Sequence, residues 1–367
     1  MHRDYYGRSE DTEITPSWPA RLTSRIRNSW KLRRLRERLS RAVERHVLPI
    51  SLRASVRHFH GPRRIAPARD ELIVLCVVRN GVLHVRSFLE HHLSLGAKHI
   101  VLLDNGSTDG TVDFARRFER VTILQTTRPY RRYETVMKRY LVRRYGRNRW
   151  SLMVDIDELF DYPFSDVVDL RALLTYLNAN SYTAVLAQML DLFSDAPLKD
   201  VRSTPEDSLK TAYPYYDLSA LEKAPYQFGT PGSPEIRAHW RGIRKAVFGT
   251  DNGLTKAALI RLCGDLVPFV GWHQTANAAI ADFSCVLLHY PFVSTFVEKV
   301  REAVRSERYR VSAGEEYRKY WARLEERPDL VLKQATARKF ESVNQLIDDG
   351  FLVVSPAYRE WVEKRRR

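Results

Sequence analysis

The sequence has no apolar run approaching the roughly 20 residues needed to cross a bilayer, so no membrane-spanning segment is expected. Cysteine is scarce. Cys76, Cys263 and Cys285 are far apart, odd in number and without metal-ligand spacing, which argues against a disulfide framework or a cysteine zinc site. They read as reduced thiols. Glycine is missing where a dinucleotide fold would need it. The strand-like run ending at Val78 continues as Arg79-Asn-Gly-Val-Leu-His84, not as Gly-x-Gly-x-x-Gly, which excludes a nicotinamide-dependent reading. Met1-His-Arg-Asp-Tyr-Tyr-Gly-Arg8 has no apolar core, so a secretory signal is not expected and the chain is placed in the cytoplasm. No internal repeat is visible.

Negative charge is nearly absent from residues 21–64, where fourteen Lys/Arg face two Glu, a net +12. The last four residues are all basic, so the formal net charge of +16 belongs to the two ends and leaves the body neutral. After a disordered 1–20, residues 21–58 are expected to be helical, with Leu32, Leu35, Leu39 and Val43 on one stripe. Such an arm suits an anionic membrane surface, a nucleic acid, or a seat along the main body. Residues 1–65 are therefore set apart, with Gly61-Pro62 and Pro67 as a linker.

Strands are expected near 72–78, 99–104, 121–125, 150–155 and 183–188, and helices near 83–95, 110–119, 131–145 and 169–179. That alternation predicts an α/β domain with a mainly parallel, helix-covered sheet over residues 70–292. Residues 192–240 are rich in proline and tyrosine, lack sustained periodicity, and read as a functional insertion over the acceptor side. Strand-like segments return near 243–249, 256–262 and 284–290. Residues 293–367 read as a helical region with a basic tail, with helices near 293–324 and 335–347.

Two strands end in acids. Trp150-Ser-Leu-Met-Val-Asp155-Ile-Asp157-Glu158 closes an apolar run with three carboxylates in four residues. Unpaired acids are costly to bury, so they are expected to emerge at the strand end. A Mg2+ or Mn2+ completed by substrate phosphates would suit them. His99-Ile-Val-Leu-Leu-Asp104-Asn-Gly-Ser-Thr-Asp109 ends similarly, with Thr108 or Asp109 as a helix N-cap. Ligands of open α/β sheets bind beyond the carboxyl ends of the strands, so the two acidic ends are expected to face one crevice.

The order Leu72–Val78 then Arg79-Asn80, Phe88-Leu-Glu-His-His92 with Leu95-Gly96, Asp104-Asn-Gly-Ser-Thr-Asp109, and Asp155-Ile-Asp157-Glu158 resembles glycosyltransferase family 2. It is most similar to the branch with a "DIDE"-type metal motif. The similarity continues through Arg241-Gly-Ile-Arg244-Lys245, Leu254-Thr-Lys256, Gly271-Trp-His273 and Leu287-Leu-His289-Tyr290, covering about residues 70–325. Gly81 stands where that family usually has an acid. The resemblance implies a GT-A-type, Rossmann-like fold. It also implies a metal-dependent, inverting transferase moving a sugar from a nucleotide-sugar donor to a glycan or lipid-linked acceptor, in the building of cell-surface polysaccharide or a similar glycoconjugate.

On that reading Asp157 is the main metal ligand, and Asp155 is a second ligand or a nucleotide contact. The late ligand is His289, with His273 as competitor. Asp104 would accept from the base or ribose. Arg79, Asn80 and Arg131 or Arg132 would line the nucleotide, since guanidinium forks match phosphate oxygens. Asp191 is the candidate base for the acceptor hydroxyl, with Asp217 and Glu235 as alternatives. Glu158 is expected to support the metal ligands or cap the next element. Lys245 and Lys256 read as surface lysines or as balances for phosphate or acceptor charge. Two other readings differ in class: a phosphohydrolase of the haloacid dehalogenase type, which also uses Asp-x-Asp after a strand, and a non-enzymatic nucleic-acid-binding protein working through the arginine-rich arm. In the second the acids would be unexplained, so no nucleic-acid partner is expected. The partners expected are the donor, the acceptor and an anionic membrane surface reached through the arm.

Overall fold

The computed structural model describes residues 46–264, 266–269, 273–306 and 311–366. Most of the basic arm therefore lies outside the described residues. Residues 51–367 form one compact unit and residues 1–50 another.

The first half of the larger unit is a strand–helix alternation. Helix α1 (Leu48–Ser55) leads to β1 (Arg57–His60), β2 (Leu72–Val78), α2 (Val82–Ser94), β3 (His99–Asp104), α3 (Thr111–Ala115), β4 (Val121–Gln125) and α4 (Tyr130–Tyr145). Then come β5 (Trp150–Met153), β6 (Glu158–Asp161), α5 (Leu170–Ala179) and β7 (Ala184–Asp191). Strand β2 is buried along its whole length, as expected for a parallel strand covered on both faces. Its Val74, Cys76 and Val78 share a core with Phe88 and Leu89 of α2 and Leu174 of α5, while α4 packs over β2, β3 and β5.

The insertion is not a bare loop. It holds α6 (Leu209–Ala212), β8 (Tyr215–Tyr216), β9 (Leu221–Pro225), β10 (Thr230–Pro231) and β11 (Arg237–Arg241), with β9 and β11 forming a hairpin sheet. Beyond it lie α7 (Ile243–Phe248), β12 (Thr255–Arg261), β13 (Val267–Phe269), β14 (Gln274–Ala276), β15 (Ala279–Ile280) and β16 (Cys285–His289). The chain closes with α8 (Phe296–Ser306), α9 (Val311–Glu326), β17 (Arg338–Lys339), α10 (Gln345–Asp348) and α11 (Pro356–Arg366).

The main sheet runs β1-β4-β3-β2-β5-β12-β7-β15-β10, with β16 joining β7 to β6. Pairings β4/β3, β3/β2, β2/β5, β7/β16, β7/β15 and β15/β10 are parallel. Those of β1/β4, β12 with β5 and β7, and β6/β16 are antiparallel. The expected mainly parallel, helix-covered α/β sheet is present and is Rossmann-like in its strand–helix alternation.

Three local expectations differ from the structure. The N-terminal helix stops at Ser55, and Arg57–His60 instead extends the sheet beside β4. Gly61 makes this possible: its φ is +80°, and a Cβ there would stand 2.2 Å from the Val121 carbonyl oxygen. Residues 243–249 form a helix instead of a strand. Gly242 (φ 61°) and Gly249 (φ 70°) bracket it, and its buried residues Ile243, Val247 and Phe248 fall at helical spacing. Over 335–347 only Gln345–Asp348 is helical, and Arg338–Lys339 pairs with β8.

Candidate active site

Register brings the acids to one edge. Val78 of β2 faces Asp104 of β3, which faces Gln125 of β4, so three parallel strands end in one row. Strand β5 lies on the other side of β2, and Val154 N–H still bonds the Leu75 carbonyl at 3.2 Å. Asp155 therefore leaves the sheet at the same edge as Asp104, with β2 between them. Further across, Glu158, His289 and Asp191 occupy facing positions on β6, β16 and β7. Side chains at facing positions share a face of the sheet.

Two polar networks result. In the first, Asp155 is gripped by two buried lysines. Lys138 Nζ of α4 lies 2.9 Å from Oδ1, and Lys256 Nζ of β12 lies 2.9 Å from Oδ2. Lys256 also reaches Glu158 Oε1 at 2.5 Å, and Lys138 lies 3.7 Å from Glu134. Glu158 folds its other oxygen back to accept the Asp155 amide at 2.9 Å. Burial disfavours the charged form of Asp155, but the two ammoniums outweigh it and hold the carboxyl below its usual range. Burial wins at Glu158, whose pKa rises despite Lys256.

The second network is centred on His289. Its Nδ1 lies 2.6 Å from Asp191 Oδ1, and its Nε2 lies 3.6 Å from Asp157 Oδ2. Arg244 holds Asp191 from the other side, with Nε on Oδ2 and Nη2 on Oδ1, each at 2.8 Å. Arg244 Nη2 and His289 Nδ1 are also 2.9 Å apart; a guanidinium has no acceptor, so both converge as donors on Asp191 Oδ1. Burial favours the neutral imidazole, yet Asp157 and Asp191 push its pKa up to about 9. The same imidazole, opposing the penalty of burial, holds Asp157 well below the carboxylate range.

Several expected site residues are placed differently from the sequence reading. Lys256 is buried, not a surface lysine, whereas Lys245 is half-buried and pairs with Asp251. Glu158 does not emerge at a turn: it opens β6 and is fully buried. Asp191 is buried with both oxygens occupied, so it presents no bare carboxylate to an acceptor. Asp217 is likewise buried, accepting from Ser219 N–H and the Thr336 hydroxyl, and Glu235 is exposed on the insertion. His273 Nδ1 lies 2.9 Å from the Thr255 carbonyl, whereas His289 Nε2 lies 3.6 Å from Asp157. His84, bonded through Nε2 to the Tyr290 carbonyl, is a second histidine that acts on Asp157. Lys138 escaped the sequence reading. Its signal is a lysine within the buried stripe Tyr133, Met137, Leu141 and Tyr145 of α4.

On the nucleotide side of the expected crevice, Asp104 is buried and turned inward, accepting Ser107 N–H at 3.0 Å and Gln125 Nε2 at 3.3 Å. Asn80 (φ 54°) accepts Thr108 N–H on Oδ1 and donates its own N–H to Ser107 Oγ. Asp109 caps α2 through Val82 N–H at 2.9 Å, while the N-cap of α3 is Gly110. Gly81 has no room for an acid: a Cβ there would meet Ile156 Cγ1 at 2.9 Å. Arg79 is exposed at the end of β2, and Arg131 and Arg132 are exposed on the first turn of α4.

Whether a divalent cation suits these residues can be judged from charge and geometry. Glu134, Asp155 and Glu158 face two ammoniums; Asp157, Asp191 and Glu316 face Arg244 and the imidazole. The first set is short of positive charge. Lys299 adds a further positive charge acting on Asp157, so the second set is balanced once His289 is protonated. Among the described residues no three His, Cys, Asp or Glu side chains converge as a ready metal cage. Asp157 and His289 Nε2 do form a two-donor pair, and the Nδ1–H···Asp191 bond leaves Nε2 facing Asp157. Metal-binding histidines are held by such a carboxylate, and Mg2+-type sites commonly use one or two protein ligands with substrate phosphates. The residues fit.

Among the described residues no helix is long and apolar enough to cross a membrane. No protein-family profile matches the chain, and a search of curated proteins finds no match. Among solved structures, the chain is similar to the mannosyltransferase PcManGT from Pyrobaculum calidifontis, determined in complex with GDP-Man and Mn2+. The identity is 20%, the match covers 41% of this chain and 42% of that one, and the TM-score is 0.27. The match thus spans less than half the length of either protein.

Proposed function

We propose that this chain is a metal-dependent, inverting glycosyltransferase that moves a sugar from a nucleotide-sugar donor to a saccharide, lipid-linked or other glycoconjugate acceptor. The observation that supports this reading is the Asp157–His289–Asp191 row at the carboxyl edge of the sheet. It offers a carboxylate and an oriented imidazole at the same sheet edge as Asp104 and Asp155.

Asp157 and His289 Nε2 would hold Mn2+ or Mg2+. Bound there, the ion would neutralise charge on the diphosphate leaving group. The protein's own groups do the rest. Asp191 holds the imidazole in one tautomer, and we assign it that role in place of the acceptor's base. Lys138 and Lys256 fix Asp155, whose side chain keeps 32% exposure and so can still accept from a ribose hydroxyl. Asn80, Asp104 and Ser107 shape the loop beneath the base, with Arg79 and Arg131 as phosphate contacts.

The test is a panel of nucleotide sugars with Mn2+ or Mg2+, read as release of free nucleotide and as a rise in melting temperature. Metal-dependent release from at least one donor, lost in Asp157→Ala, is expected. A panel in which no donor is turned over or raises the melting temperature would overturn the reading.

A further inference from the structure

We infer that Arg244 is a positioning residue for His289, anchoring the site to the second hydrophobic core; the inference deepens the proposed function and rests on it. Asp191 and His289 lie side by side on β7 and β16, yet register alone does not fix the carboxylate plane. The fork of Arg244 does. With Nε on Oδ2 and Nη2 on Oδ1, both 2.8 Å away, the carboxylate cannot turn, and Oδ1 stays aimed at His289 Nδ1. Bidentate Arg–carboxylate pairs impose this geometry, which a lysine cannot reproduce.

Arg244 is itself held. Its Nη1 lies 3.4 Å from Glu316 of α9, and Glu316 accepts the Tyr320 hydroxyl. The Tyr320 ring packs 4.6 Å from Phe248 of α7. Phe248 and Tyr320 belong to a core with Ile243, Phe292 and Phe296, distinct from the core beneath the main sheet. A continuous chain of contacts therefore runs Tyr320–Glu316–Arg244–Asp191–His289–Asp157. Through it, α7 and α9 determine where His289 Nε2 points.

The experiment uses the full chain with histidine labelled for nitrogen-15 NMR, the His289 signals being assigned by their loss in His289→Gln. Two variants are compared with the native protein: Arg244→Lys, which keeps the charge, and Asp191→Asn/Arg244→Gln, which replaces the buried pair by neutral groups of similar volume. In both, the His289 Nδ1 proton signal should move and exchange faster with water. Mn2+ affinity should fall about 10–100-fold, as when the group supporting a metal-binding histidine is lost. An unaltered His289 signal in either folded variant would overturn the positioning role. A native protein that binds neither Mn2+ nor Mg2+, even with a nucleoside diphosphate present, would instead refute the functional reading, while the NMR comparison still decides the positioning role.

Discussion

The His92 imidazole accepts the main-chain N–H of Phe160 on Nε2 at 3.2 Å, while its Nδ1 lies 2.8 Å from the Phe88 carbonyl. One residue earlier, His91 Nε2 lies 2.6 Å from the Phe160 carbonyl. Two adjacent histidines of α2 thus serve both backbone groups on the edge of β6 that β16 leaves unpaired. The Phe88-Leu-Glu-His-His92 motif is structural hardware, fastening the strand that carries Glu158. It works only with a neutral His92, because a protonated His92 could not accept from Phe160, whereas His91 donates to the Phe160 carbonyl.

Acid should therefore destabilise the fold through its buried histidines. Burial holds His92 well below the ordinary value of 6.5, and burial with the Lys223 charge holds His239 at about 3. Between 6.5 and these folded values the unfolded chain binds more protons than the native one. Stability is thus complete above about pH 6.5 and is lost as pH falls through that window. At pH 5 the His239 ring should cost about 2 kcal/mol, from 1.36 kcal/mol per unit. His239 is the cleaner probe, since its Nδ1 has no hydrogen-bond partner among the described residues and its ring packs 4.9 Å from Phe351. Urea unfolding of His239→Phe should show a smaller loss between pH 7 and 5 than the native chain. An equal loss would show that this ring takes no part. His289 acts oppositely, above pH 6.5, where its raised pKa makes stability fall with rising pH.

Removing Lys256 should be far more damaging than removing a surface charge. Its ammonium serves Asp155 and Glu158 inside the protein, and breaking a buried pair leaves an uncompensated charge worth about 3–5 kcal/mol. The exposed pair Arg86–Glu90 is worth about 0.5 kcal/mol or less. Denaturant midpoints of Lys256→Met and Glu90→Ala should differ accordingly. Similar midpoints would mean that water reaches Asp155 and Glu158 freely.

Much of this arrangement was legible in the sequence. The strands 72–78, 99–104 and 121–125 are as expected, because short apolar runs bounded by polar or turn-forming residues carry their own signal. The carboxylates of Asp155 and Asp157 do lie beyond a strand end. Their partners were not legible. Lys256 and Asp155 are 101 residues apart, and they meet because β12 inserts antiparallel between β5 and β7, a pairing that no local pattern announces. Glu158 was misplaced for the same reason: an acid can open a buried strand only when a distant lysine awaits it.

Asp157→Ala should separate chemistry from folding. Asp157 is 16% exposed and lies 3.6 Å from His289, with the Lys299 charge also acting on it. Because its carboxylate keeps access to solvent, its loss should leave the native fold intact. Turnover with Mn2+ or Mg2+ should fall at least about 100-fold, the scale seen when one preorganised stabilising group is removed. Chelator should do the same to the native protein. Activity that survives both treatments would remove the metal from the mechanism.

Two truncations distinguish the basic arm from the sheet it precedes. A chain beginning at His46 keeps α1 and β1, whereas one beginning at Arg69 loses both. Strand β1 pairs with β4 through Arg57, His58 and His60, Thr122 Oγ1 donates to the Pro62 carbonyl, and Ser55 Oγ bonds Thr126 Oγ1 at 2.9 Å. Losing these contacts exposes the β4 edge, a site of aggregation. The Arg69 chain should therefore melt lower and aggregate, while the His46 chain should melt like the full protein. The His46 chain should nevertheless lose sedimentation with anionic liposomes at low salt. Ten Lys/Arg lie between Arg21 and Arg45, each worth about 1 kcal/mol near such a surface, and that attraction is screened within a Debye length. Should the His46 chain bind anionic liposomes as well as the full protein does, the arm is not the membrane contact. Should it melt several degrees lower, residues 1–45 support the fold.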